Sequence, residues 1–116
     1  MAMTDCLFCK IVAGELPATK VAETDATLAF RDINPQAPTH ILVIPKAHYV
    51  NAAEMVLADP DLTTRVMEEA VKIADSEELS QGYRLLFNTG KDSGQEVFHV
   101  HLHILGGKPL GPMVSV

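Results

Sequence analysis

The sequence predicts an α+β domain: an antiparallel sheet of about five strands with one long helix and one or two short ones. Three observations carry that prediction. Residues 97–105 form an apolar run in which His99, His101 and His103 recur at every second position, the alternation of a strand with two unlike faces. Ile41-Leu42-Val43-Ile44 is solidly apolar and stopped by Pro45, as in a strand covered on both sides. Leu62, Val66, Ala70, Ile73 and Ala74 mark a helical apolar stripe, with Arg65, Glu68, Glu69 and Lys72 largely opposite. Strands bracketing one substantial helix are the pattern of an α+β fold. A length of 116 residues suits a single domain, residues 1–116, with one modest core.

Each element has a local cause. Leu7, Phe8, Ile11 and Val12 lie near helical spacing, and Gly14 and Pro17 end this short helix over residues 7–13. Residues 21–23 and 27–31 read as short strands joined around Thr24-Asp25. Asn34-Pro35-Gln36-Ala37-Pro38 is loop, because two prolines remove donors and disfavour helix. The strand 41–44 follows, then a helical turn over 51–57. Asp59-Pro60 starts the long helix, an N-cap acid before proline at the first helical position, and the helix ends before Gly82. Residues 83–88 read as a strand, 89–95 as a polar loop with glycines, and 97–105 as the histidine strand. In that last strand Phe98, Val100, Leu102 and Ile104 face a core, and the three imidazoles share the other face. The tail from Gly106 to Pro112 is irregular.

Composition narrows the function. The formal net charge of −6 argues against non-specific nucleic-acid binding, which needs a basic face. It leaves room for a small anionic ligand held by backbone amides and imidazoles. No apolar run approaches the length of a membrane-spanning helix. Residues 1–10 carry no apolar signal-peptide core, so the expected location is the cytoplasm. The two cysteines, Cys6 and Cys9, are spaced C-x-x-C, where a structural disulfide adds little; metal binding or redox chemistry is the better reading.

The three histidines have three readings. They form a solvated face, a three-histidine metal site, or a nucleophile with an orienting or acid–base partner. The preceding loop bears on the choice. Asn88, Gly90, Gly94 and Gln95 offer amides that can approach a phosphoryl oxygen, whose negative charge grows under attack.

At this point the sequence resembles a known family. His99-Val100-His101-Leu102-His103-Ile104-Leu105 matches the histidine-triad signature, His-φ-His-φ-His-φ-φ with φ apolar. The run from Phe30 through Asp32, Ile33 and Pro38 to His40 looks like the Hint branch of that family. Val43-Ile44-Pro45-Lys46, Asn88, Gly94-Gln95 and the tail from Gly106 to Met113 do too. The resemblance implies a homodimer that hydrolyses purine nucleoside 5′-phosphoramidates and aminoacyl-adenylates. It makes His101 the nucleophile on the α-phosphorus, forming a nucleotidyl-imidazole intermediate that water resolves without metal. It assigns His103 to a phosphate oxygen, with Asn88 and the backbone of Gly94, Gln95, Glu96 and Val97 completing the cradle. Asp32 then faces the ribose hydroxyls, Phe8, Phe30, Ile33 and Leu42 the base, and His40 stands behind the triad, so that His101, His103, His99 and His40 make up the implied catalytic set. Dinucleoside polyphosphate hydrolysis, nucleotidyl transfer, and a non-catalytic nucleotide-binding module are the alternatives. A three-histidine metallohydrolase is a further one.

Similarity to bacterial members of the family implies one structural zinc per chain, held by Cys6, Cys9, His48 and His99. Unmetallated thiols and a redox pair are the alternatives, and the strand that precedes a thioredoxin-like redox pair is missing here. The sequence departs from better-known animal relatives at Glu96, where a serine often sits near the leaving amine. For the implied dimer, the helix over 60–78 and the strand near 83–88 are the candidate interface.

Overall fold

The computed structural model describes residues 5–114. Its elements are α1 (Leu7–Val12), β1 (Lys20–Glu23), β2 (Thr27–Arg31), β3 (Thr39–Pro45), α2 (Ala52–Ala58), α3 (Pro60–Ser76), β4 (Tyr83–Phe87) and β5 (Leu102–Gly106). The five strands make one sheet in the order β1-β2-β3-β5-β4, every neighbouring pair antiparallel. This is the predicted α+β class. Among the described residues no helix is long and apolar enough to cross a membrane.

The central strands are apolar on both faces because each face is covered. Ala29, Ile41, Val43, Leu102 and Ile104 pack against Val66, Ala70 and Ile73 of α3 and Met55 of α2. Leu28, Phe30, Leu42 and Ile44 face the other way and pack against Phe8 and Ile11 of α1. The uninterrupted apolar stretch of β3 thus serves two cores, with alternate residues in each. Asp59 caps α3 by accepting from the Leu62 amide at 3.1 Å, and Pro60 opens the helix as expected. The long helix ends at Ser76, and one 3-10 turn, Lys91–Ser93, forms within the expected loop.

The histidine strand is shorter than its alternation suggests. Pairing with β3 runs only from Val43↔Leu102 to Thr39↔Gly106, so residues 97–101 lie outside the ladder. The cause is a change of backbone partner. The Val100 amide donates to the Tyr49 carbonyl at 2.8 Å, and the His99 ring takes the Pro45 carbonyl at 2.9 Å. Leaving the ladder also frees Phe98, which was expected in the core and is 40% exposed; Val100, Leu102 and Ile104 are buried.

Candidate active site and metal-binding cluster

A cavity of about 680 Å³, within the range of small-molecule sites, opens on the α1 side of the sheet. Phe8 and Leu42 line one wall with Phe30, and Asn88, Gly94, Gln95, Glu96 and Val97 line another. His40, His101 and His103 lie between them, with Asp32 and the fully exposed Ile33 also on the lining. Every residue that the sequence suggested for substrate contact therefore borders this one space. His99 does not. Its ring is completely buried, so the expected single face of three imidazoles divides. His101 and His103 face the cavity, and His99 turns towards the cysteines.

Hydrogen bonding fixes the protons of each ring. His101 Nδ1 lies 2.8 Å from the His99 carbonyl, which can only accept. Nδ1 is therefore the protonated nitrogen, and Nε2 keeps its lone pair. A second chain starts at the Gln36 amide, which donates to His40 Nδ1 at 3.0 Å. His40 Nε2–H is then left to donate to His103 Nδ1 at 2.9 Å. That in turn puts the proton of His103 on Nε2, a buried atom with no partner among the described residues. An N–H donor without an acceptor is costly to bury, and it borders a ligand-sized cavity. Asp32 lies 3.5 Å from His40 Nε2.

Desolvation keeps these rings neutral. Burial pushes His103 down to about 4, aided by the neighbouring His101 and His40. Burial also lowers His40, partly offset by Asp32, and lowers His101, partly offset by the bond to the His99 carbonyl. The site thus offers a neutral nucleophilic nitrogen beside a neutral donor. His40 bonds through both nitrogens and has no lone pair free for a cation, which weakens the metal reading of Asp32, His40 and His103.

The second cluster is built differently. Cys6 caps α1, and its Sγ accepts from the Cys9 amide at 3.3 Å. His99 Nδ1 lies 3.4 Å from Cys6 Sγ and 3.5 Å from Cys9 Sγ; His48 Nδ1 lies 3.2 Å from Cys9 Sγ and 3.2 Å from His99 Nδ1. A tetrahedron of thiolate and imidazole ligands at zinc distances has edges of about 3.3–3.8 Å. Because His99 Nε2–H donates to the Pro45 carbonyl, its Nδ1 lone pair points among the thiols. Burial and the neighbouring Cys6 push the Cys9 thiol up to about 11, so a bound cation is what would favour its thiolate here. Cys6, Cys9, His48 and His99 can hold a metal ion.

The sequence did not single out the Gln36 amide that orients His40. The signal was present: of the four residues from Pro35 to Pro38, only Gln36 and Ala37 have an N–H. Arg31 and Asn34 on the cavity lining were likewise not singled out.

Comparison with known proteins follows the same lines. The family model described as HIT domain matches residues 13–110. The chain is 44% identical over 110 residues to the purine nucleoside phosphoramidase of Escherichia coli K12, covering 94% of this chain and 92% of that one. A histidine triad protein from Clostridium difficile superposes with a TM-score of 0.91 at 46% identity, over 98% of this chain and all (100%) of that one. A HIT family hydrolase from Legionella pneumophila superposes with a TM-score of 0.87 at 51% identity, over 92% and 100%.

Proposed function

The chain belongs to the HIT domain family and is a hydrolase; from there we propose that it cleaves purine nucleoside 5′-phosphoramidates and aminoacyl-adenylates through a nucleotidyl-histidine on His101. The observation that carries this reading is the pair of opposed nitrogens, the lone pair of His101 Nε2 and the unpartnered N–H of His103 Nε2. His101 Nε2 attacks the α-phosphorus. The N–P bond forms as the bond to the leaving amine or carboxylate breaks, and a departing amine takes up a proton from solvent. His103 Nε2–H donates to the phosphoryl oxygen on which charge gathers. The His99 carbonyl holds the proton on His101 Nδ1, so the substituted ring is cationic and leaves readily. Water then attacks phosphorus, the N–P bond breaks, and the nucleoside monophosphate departs. The wall of Phe8, Phe30 and Leu42, with Ile33, suits a base, and Asp32 suits the ribose hydroxyls.

The metal in this reading is a single zinc on Cys6, Cys9, His48 and His99, and its task is to cross-link α1 to the segment that carries His101. The chemical step needs no metal. Free thiols at both ligands suit a reducing compartment such as the cytoplasm. The outer edge of β4 is assigned to a second copy of the chain.

His101→Ala should lower kcat/KM for an adenosine phosphoramidate by about 10⁴-fold or more, the scale for loss of a nucleophile. Rapid alkaline quenching in denaturant during turnover, which spares the acid-labile N–P bond to imidazole, should trap a wild-type chain heavier by one nucleotidyl group, absent from the variant. Normal turnover by His101→Ala would remove His101 from this role.

A further inference from the structure

Resting on the phosphoramidase reading, we infer that Glu96 selects the leaving group, favouring amines that carry a second, positive charge and rejecting anionic ones. The ionisable side chains lining the cavity are Arg31, Asp32, His40, Glu96, His101 and His103. All but one have a partner or a task. Arg31 pairs with Glu77 at 2.9 Å, Asp32 lies beside His40, and the imidazoles surround the place of the phosphorus. Glu96 is exposed and, among the described residues, pairs with no cation.

Topology gives its direction. Sheet order puts β5 between β3 and β4, so His103 on β5, with His101 just before it, stands between the wall of β2 and β3 and the 88–97 segment that follows β4. A nucleotide with its base on Phe30 and Leu42 and its phosphorus at His101 sends its leaving group towards that loop, where Glu96 is the ionisable side chain on the lining.

The position of Glu96 is also built. Its neighbour Gln95 is buried, accepts from the Gly90 amide at 2.9 Å, and donates to the Val50 and Val97 carbonyls at 2.8 and 3.2 Å. The backbone is pinned and the carboxylate is free. With Arg31 committed to Glu77, no lining cation remains to neutralise an anionic leaving group such as a polyphosphate.

The test compares adenosine 5′-phosphoramidates of three amines of equal length: an alkyl diamine, an alkyl amine and an amino acid. Wild type should prefer the diamine over the alkyl amine, and that over the amino acid, by about fivefold at each step in kcat/KM, the scale of an exposed ion pair. Glu96→Gln should compress the series to within about twofold, and Glu96→Lys should invert it. Equal rates on all three by wild type, or an unchanged ranking in Glu96→Gln, would overturn the role of Glu96 and leave the phosphoramidase reading intact. Failure of wild type to cleave any of the three would remove that reading and this one with it.

Discussion

Protons, more than residue types, decide what the imidazoles can do. The run from the Gln36 amide through His40 to His103 leaves one donor, and the His99 carbonyl leaves one lone pair. In the proposed reaction His40 is therefore a positioning residue. His40→Ala should lower kcat/KM about tenfold, the scale of one hydrogen bond within a charged transition state, and His40→Gln, which keeps an acceptor and a donor, should recover part of it. A pH profile separates this role from simple packing. His40 and His103 are held below their ordinary value by burial, His103 at about 4. Their neutral forms are the ones the donor chain requires, so activity is retained down through pH 6.5 and falls only as pH approaches the lowered values. The acid limb of kcat/KM should thus lie below pH 6.5 in wild type. In His40→Ala it should move, because His103 loses a neighbour that opposes its protonation. An acid limb at or above 6.5 in wild type would contradict the buried neutral chain.

At the scale of elements, α1 links the two clusters. Phe8 sits between Cys6 and Cys9 in the chain, and its ring meets His101 edge-on at 5.2 Å and Phe30 at 5.4 Å. Metal loss should therefore reach the cavity without touching a catalytic group. Cys9→Ser, or exhaustive chelation of wild type, should lower Tm by at least about 5 °C and weaken mononucleotide affinity severalfold. Elemental analysis, calorimetry and titration read the three effects; an identical Tm and affinity with and without metal would leave the metal no structural task. The same elements show what the sequence could disclose. β3 and α3 were legible because a two-sided apolar run and a helical stripe state their burial directly. The histidine strand was overextended because its alternation continues past Leu102, while the backbone partner changes to Tyr49. Alternation reports which way side chains point and is silent on what the amide bonds to. The Cys6–Cys9 spacing announced a site, but the link to His48 crosses 39 residues and came from resemblance alone. The bond between His40 and His103 follows from strand register, which pairs His40 with Leu105 and Leu42 with His103.

For the whole molecule, the open question is what an unclosed sheet does with its two edges. The β1 edge is guarded. Its register breaks between Lys20 and Ala22, and Lys20 and Glu23 place charges along it. Irregularity and charge are the usual defences of an edge strand. The β4 edge has neither an irregular register nor proline: Tyr83–Phe87 pairs evenly with β5, carries half-buried Leu85, Leu86 and Phe87, and has its one charged side chain, Arg84, donating to the Gly111 carbonyl. Among the described residues no further strand covers it. Elsewhere α3 carries a second exposed apolar pair, Met67 and Val71, one turn apart on the same face and 39% and 49% exposed. A second copy related by a two-fold axis would extend the sheet through antiparallel β4 strands and cover this apolar surface, a self-complementary solution to both exposures. Sedimentation should accordingly give twice the chain mass across the micromolar range. Met67→Glu combined with Val71→Glu should shift the boundary to a single chain, and far-ultraviolet circular dichroism should remain that of the folded protein because both side chains are already exposed. A monomeric wild type at those concentrations, or a dimer unmoved by two buried like charges, would mean that the β4 edge is left open and that the pairing lies elsewhere.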